Sequence, residues 1–429
     1  MNNQTLIDSW PASWAAWQRS KKVLGGGVST GLRASMPPHP LHFASASGSS
    51  MTDIDANTYT DYVCAWGPIF LGHCDPRVTE AVSRQVGLGV TFGSSHHWEY
   101  EVAELLVDLL DGVDRVLWSN TGTEAVMSAL RLARGATGRE KIVKCTGHYH
   151  GWQDAVLVNY RGPDADQATA QVPGTRGQSQ AAMSSTLVAE YDVVDSVEGL
   201  LSSRTVAAVI VEPILMNSGV LRPHDDYLSR LRELCTDTGT VLIFDEVITG
   251  VRMGLHGAQS WTGVQPDLSV YAKALANGFP LAAIAGRGDL IDQVTQGVTH
   301  AGTYNGNPVS LAAAHATLRA LIEDAPHDRV TSLADRLAAG FAAAMASAGV
   351  QGTSHAAGSV AQVALGIDRL ASFHDYVQAD WGRYDKLLVE LLRRHQFTLP
   401  GGRWYLSAAH TEEQVDTTIA AFTQALQAL

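Results

Sequence analysis

The 429-residue chain reads as an α/β protein, with a large domain built on a mostly parallel sheet and a smaller α+β domain assembled from both chain ends. Three observations predict this. Between about residues 100 and 310, short β-branched runs alternate with helical periodicity, and the runs are apolar on both faces, as strands covered by helices on each side must be. The flanking stretches lack that alternation. At about 150 residues per domain, the length suits two or three units.

Taken in order, residues 1–70 are turn-rich, with one strand expected over Asn57–Trp66. Trp10, Trp14 and Trp17 are spaced by four and then three, so they share one helix face and read as packing. Strands are expected at Arg115–Ser119, Lys141–Cys145, Val206–Val211 and Val241–Val247. Helices are expected at Glu124–Arg134, Asp226–Thr236 and Val309–Asp324. The window Val158–Gln180 shows no period, and its Asn159, Arg161, Gly162, Pro163, Pro173 and Gly174 mark either a lid or a plain surface loop. The last hundred residues are rich in helix, most clearly Asp328–Gly349 and Thr411–Leu429. The expected division is therefore 1–70 and 311–429 in the small domain and 71–310 in the large one.

Thirty basic against 43 acidic residues give a net charge of −13. Bulk charge of that sign is unsuited to gripping nucleic acid or an anionic membrane, though it leaves room for a local anion site. No run of about 18 apolar residues is present, and the N-terminal stretch carries Asp8 and three tryptophans where a secretory leader has a basic start and an apolar centre. Cys64, Cys74, Cys145 and Cys235 are scattered, with no C-x-x-C pair, which fits a reducing cytoplasm and argues against a zinc site.

Four features carry chemistry. The chain has only six lysines, and Lys273 is the only one between residues 145 and 385. It sits in Val270-Tyr-Ala-Lys-Ala-Leu-Ala-Asn-Gly278, where small apolar neighbours suit a desolvated Schiff-base amine as well as a lysine leaving a helix end. Asp245 closes the apolar run Val241–Val247 at its carboxyl end, where open α/β sheets bind ligands and where an aspartate also caps helices. Ser119-Asn-Thr-Gly-Thr-Glu124 joins a strand to a helix and reads as a phosphate cradle or an ordinary N-cap. Gly147-His-Tyr-His-Gly-Trp152 offers an aromatic for stacking; His148 and His150 lack a third ligand, as do His96 and His97, and no metal is expected.

In this order, a cradle, a stacking aromatic, a strand-end carboxylate and an isolated lysine are what pyridoxal 5′-phosphate requires. The chain resembles the class III, fold-type I aminotransferases, and among them the glutamate-1-semialdehyde 2,1-aminomutase branch. The resemblance runs from Gly25-Gly-Gly-Val28 through Tyr62–Pro68, Asn120–Ala125, Val211-Glu-Pro213, Asp245, Lys273 and Gly302–Pro308 to Ala409–Glu413. It implies that Lys273 carries the cofactor as a Schiff base and shuttles protons, and that Asp245 holds the pyridinium nitrogen. Tyr149 and Val247 would pack on the ring faces, Gly122 and Thr123 would bind the phosphate, and Asn217 would lie near the phenolic oxygen. Thr303 would reach the phosphate of a neighbouring subunit, which implies a homodimer with shared sites. Trp66 would wall the substrate pocket and Arg33 would bind a substrate carboxylate.

The chain also departs from that branch. Its Asn-Ser-Pro-Val-Arg stretch becomes Ser29-Thr-Gly-Leu-Arg33, its Ala-Pro-Thr-Glu becomes Ser94-Ser-His-His97, and its Phe-Glu-Ala becomes Gly401-Gly-Arg403. Losing two acidic positions and gaining His97 and Arg403 favours a larger or more anionic substrate. The expected activity is transfer from an amino-acid donor to an aldehyde or ketone acceptor, with intramolecular transfer of the aminomutase type or a racemase or epimerase as alternatives.

Overall fold

The computed structural model describes residues 9–161 and 171–429. The chain forms two compact units. The first gathers the described residues through Asp75, then Asp328–Leu370 and Gln378–Leu429; the second holds Pro76–His327 and Ala371–Val377.

Strands are numbered in chain order. In the first unit β1 (Phe43–Ser47), β2 (Ser50–Asp53) and β3 (Thr58–Asp61) form an antiparallel meander. The second unit contains β4 (Arg115–Ser119), β5 (Lys141–Cys145), β6 (Thr186–Ala189), β7 (Val206–Val211), β8 (Val241–Asp245), β9 (Leu268–Tyr271) and β10 (Ala282–Gly286). The chain returns to the first unit with β11 (Gly352–Ala357), β12 (Val360–Leu365), β13 (Gln396–Phe397) and β14 (Arg403–Tyr405). There β13 joins β3 in parallel, while β11, β12 and β14 make a separate antiparallel sheet.

The sheet of the second unit has the order β4-β10-β9-β8-β7-β5-β6. Pairing is parallel from β9 to β6, whereas β10 runs antiparallel to both β4 and β9. The fold is α/β with a mostly parallel sheet. β7, β8 and β9 are buried along their whole length, so their near-continuous Val, Ile and Leu pattern has helices to satisfy on both sides. On one side the helix Gly122–Thr137 presses Ala125, Ala129, Leu130 and Ala133 against Ile210, Ile243 and Val270. On the other, Leu228, Leu231 and Cys235 of helix Tyr227–Thr238 meet Val209, Leu242 and Phe244.

Four sequence expectations change. The strand expected over Val241–Val247 stops at Asp245, whose Oδ1 accepts the Val247 N–H at 3.1 Å and turns the chain out of the sheet. The strand expected through Trp66 stops at Asp61. Asp61 Oδ1 takes the N–H groups of Val63 and Cys64 at 2.9 and 3.0 Å, and Cys64, Ala65 and Trp66 follow with φ of 46°, 55° and 71°, a left-handed turn. The break expected after residue 310 falls after His327, because helix Pro308–Asp324 buries its face against helices Pro76–Leu88 and His97–Leu109. The helix-rich C-terminal part also contains the β11–β12–β14 sheet.

Candidate active site

Loops at the carboxyl ends of β5, β7, β8 and β9 gather most of the expected cofactor residues. Lys273 follows β9 with φ of +48°, after Ala272 in fully extended conformation. A left-handed lysine costs about 1–2 kcal/mol, and such strain persists where surrounding packing fixes it. The side chain is half-buried, and its charge acts on the Asp245 carboxyl.

Asp245 is buried at the end of β8. Burial pushes its carboxyl up to about 7, against the Val247 N–H and Lys273, which pull it down. Its Oδ2 lies 2.7 Å from Nδ1 of His150, a side chain with no exposure. Burial, reinforced by the nearby Lys144, drives His150 well below the ordinary imidazole value. A neutral ring beside a carboxylate donates from Nδ1, so His150 both orients Asp245 and favours its anion. The neighbouring His148 accepts the Glu212 N–H on Nδ1 at 2.9 Å.

Glu212 is a second organiser. Oε1 accepts the Tyr149 N–H at 2.9 Å, and Oε2 accepts those of Met216 and Asn217 at 3.0 and 3.2 Å. One carboxylate thus holds the backbones of Tyr149 and Asn217 together. The Tyr149 ring is half-buried, 4.8 Å from that of Tyr160.

The helix Gly122–Thr137 begins with a capping box: Thr121 Oγ1 accepts the Glu124 N–H at 3.2 Å, and Glu124 Oε2 accepts the Thr121 N–H at 3.1 Å. The first-turn N–H groups of Gly122 and Thr123 have no intrahelical acceptor and lie at the positive end of the helix dipole. Two glycines set this end against the loops. A Cβ on Gly122 would lie 3.0 Å from Cγ2 of Val247, and one on Gly151 would lie 2.5 Å from Thr123 Oγ1. Thr303 is exposed, on a loop tied in place where Asn120 Nδ2 donates to Asn305 Oδ1 at 2.8 Å.

The expected substrate residues do not cluster in the same way. Arg33 and Trp66 line a cavity of about 540 Å³ within the first unit, walled by Leu24, Met36, Phe43 and Phe397. Arg403, also in the first unit, is buried with its guanidinium 3.3 Å from Tyr405 Oη and is not among the described residues lining that cavity. His97 is exposed at the start of helix His97–Leu109 in the second unit, its ring 4.6 Å from Trp98. Trp152 and Trp261 are exposed. Residues 162–170 of the segment read as a candidate lid lie outside the described residues; on either side of them Val158 and Pro173 pair in an antiparallel bridge.

Sequence reasoning missed two organisers. In the sequence His150 reads only as a candidate metal ligand, and its pairing with an aspartate 95 positions away leaves no local trace. Glu212 carries no role in the motif Val211-Glu-Pro213, although an acidic residue closing an all-apolar strand is a signal.

The sequence model described as aminotransferase class-III matches residues 33–362. A glutamate-1-semialdehyde 2,1-aminomutase of Methanopyrus kandleri is 39% identical over 98% of this chain and 99% of its own length. That of Acetivibrio thermocellus is 38% identical over 94% and 95%. Among solved structures, an omega-transaminase from Sphaerobacter thermophilus superposes with a TM-score of 0.90 at 33% identity, covering 97% of both chains. A transaminase with PLP bound gives a TM-score of 0.90 at 30% identity, covering 98% of both.

The residues present suit that cofactor: a buried carboxylate whose anion needs a cationic partner, a helix N-terminus for a phosphate, and a strained lysine beside them. The chain belongs to the class III aminotransferases, enzymes that work with pyridoxal 5′-phosphate.

Proposed function

We propose that the chain is an aminotransferase that moves an amino group from an amino-acid donor to an aldehyde or ketone acceptor. The observation carrying the reading is the buried His150–Asp245 pair at the end of β8 with Lys273 acting on the same carboxylate. Bound there, pyridoxal 5′-phosphate supplies a carbonyl that takes up the amino group and a ring that accepts the electron pair released at the substrate carbon. Lys273 Nζ would be the attachment amine and, once the donor displaced it, would carry the proton from the substrate carbon to the cofactor carbon that keeps the amino group. Asp245, kept anionic by His150, holds a proton on the ring nitrogen. Tyr149 and Val247 would hold the ring between them, Gly122 and Thr123 would bind the phosphate, and Asn217 would serve the phenolic oxygen. Arg33 takes the donor carboxylate, with Trp66 as a wall; His97 and Arg403, neither of which lines that cavity, keep no part in this reading.

Thr303 is assigned to the phosphate of a partner subunit in a homodimer. The exposed apolar side chains of Val86, Leu88, Val90, Phe92, Tyr100 and Tyr304 support an interface on the second unit. Four cysteines that form no disulfide support a reducing, cytoplasmic setting, and among the described residues no helix is long and apolar enough to cross a membrane.

Intermolecular transfer is favoured by the departures at 29–33, 94–97 and 401–403 and by the apolar walls around Arg33. The second reading, intramolecular transfer, is favoured by curated relatives of 36–39% identity that bear the aminomutase name. Borohydride reduction of the reconstituted enzyme followed by peptide mapping should label Lys273; label elsewhere, or none, would remove the assignment. Turnover of glutamate semialdehyde by the pyridoxamine-phosphate form without a separate donor would establish the second reading; dependence on an external amino donor supports the first.

A further inference from the structure

Lys144 has no exposure, although it lies in a strand whose neighbours are apolar. Burial pulls its ammonium down to about 7, with Cys145 and Glu212 pulling back. A methionine of similar length would sit there without the desolvation penalty. What the lysine adds is a pair of N–H donors. Its Nζ lies 2.9 Å from the His148 carbonyl and 2.5 Å from the Val158 carbonyl. Ammonium and neutral amine each carry enough N–H groups for both bonds, so the bridge does not depend on which is present.

One carbonyl lies inside the Tyr149 loop and the other on the chain that leaves it. The loop opens and closes on left-handed glycines, Gly147 at φ 78° and Gly151 at φ 88°. Ser218 Oγ donates to the Gly147 carbonyl at 2.9 Å, the Gly147 N–H donates to the Asn159 carbonyl at 2.7 Å, and Glu212 takes the Tyr149 N–H. Lys144 holds the carbonyl between these anchors and ties it to Val158 on the outgoing chain.

We infer that Lys144 is a positioning residue: by bridging the carbonyls of His148 and Val158 it fixes the backbone from which Tyr149 reaches the cofactor ring and His150 reaches Asp245. The inference rests on the proposed function. Its test uses the full-length enzyme with Lys144→Met, which removes the donors, and Lys144→Gln, which keeps N–H donors on a shorter, uncharged chain. Three quantities are read: the pyridoxal phosphate dissociation constant, the visible circular dichroism of the bound cofactor, and the melting temperature of the cofactor-free chain. Lys144→Met should weaken cofactor binding on the order of 10-fold or more and alter the dichroic band, with Lys144→Gln recovering part of both. A Lys144→Met enzyme that melts lower but binds the cofactor with the same constant and the same band would reduce Lys144 to a structural role and overturn the inference.

Hydrogen exchange on the unmodified chain gives a readout that needs no variant to fold. The Gly147 and Tyr149 amides should be as protected without cofactor as with it; free exchange in the cofactor-free chain would mean that the ligand orders the loop, again overturning the inference. Failure of the unmodified chain to bind pyridoxal phosphate at all would instead bring down the proposed function.

Discussion

Replacing His150 by phenylalanine separates the charge of Asp245 from the rest of the site. The imidazole is fully buried, and phenylalanine keeps an aromatic ring at the site while removing the donor. The lost bond is a 2.7 Å contact to a carboxylate, a class worth about 1.5–3 kcal/mol. At about 1.4 kcal/mol per pKa unit, the Asp245 carboxyl, already raised to about 7 by burial, should rise by about one to two more. Near pH 7.5 the anionic share of Asp245 then falls from about three-quarters to between about a quarter and a few per cent. If the cofactor's ring nitrogen needs that anion, pyridoxal phosphate should bind about 3- to 25-fold more weakly at this pH. The deficit should shrink as the pH climbs past the new pKa. Titrating cofactor absorbance at a series of pH values measures both effects. An unchanged dissociation constant, or a deficit of constant size across the pH range, would refute the link between His150 and the charge of Asp245.

Other outcomes follow from the same geometry. Gly151→Ala combines a left-handed φ of 88° with a Cβ 2.5 Å from Thr123 Oγ1, so thermal unfolding should show a loss of about 1–3 kcal/mol, and cofactor affinity should fall with it as Thr123 is displaced. Arg33→Ala should raise the donor KM on the order of 10- to 100-fold in steady-state kinetics; an unchanged donor KM would discard the carboxylate role. Asp245, Glu212 and Glu246 are all pushed up to about 7 by burial, so in the cofactor-free enzyme they bind protons that the unfolded chain has already released. Their contribution to stability is therefore fully present below the ordinary carboxylate range and is lost as the pH rises through about 7, which denaturant titrations between about pH 5 and 8 should record. Phe92→Glu places a charge among the exposed apolar side chains of the second unit, so if the proposed homodimer forms there, sedimentation should shift towards monomer.

The sequence alone determined the strands β4, β5 and β7 to the residue and, within a few positions, the helices Gly122–Thr137 and Tyr227–Thr238 that follow β4 and β7, but not helix Val194–Leu201. It could do so because strands buried on both faces must be continuously apolar, and because caps such as Thr121–Glu124 mark helix ends within a few positions. It also singled out Lys273 and Asp245, since an isolated lysine among small residues and a carboxylate ending an apolar run are local anomalies. Strand β10 escaped because Ala282, Ala283 and Ala285 carry no β-branched signal; its place between β4 and β9 is set by neighbours far along the chain.

Only the tertiary structure decided who stands next to whom. His150 meets Asp245 across 95 positions, Glu212 joins Tyr149 to Asn217, and Lys144 ties His148 to Val158, each through hydrogen bonds of a few ångströms that leave no periodicity in the chain. Burial likewise depends on how the whole fold closes over a group. The raised carboxyls of Asp245 and Glu212 and the lowered ammonium of Lys144 are therefore properties of the folded protein, set by the water that folding excludes.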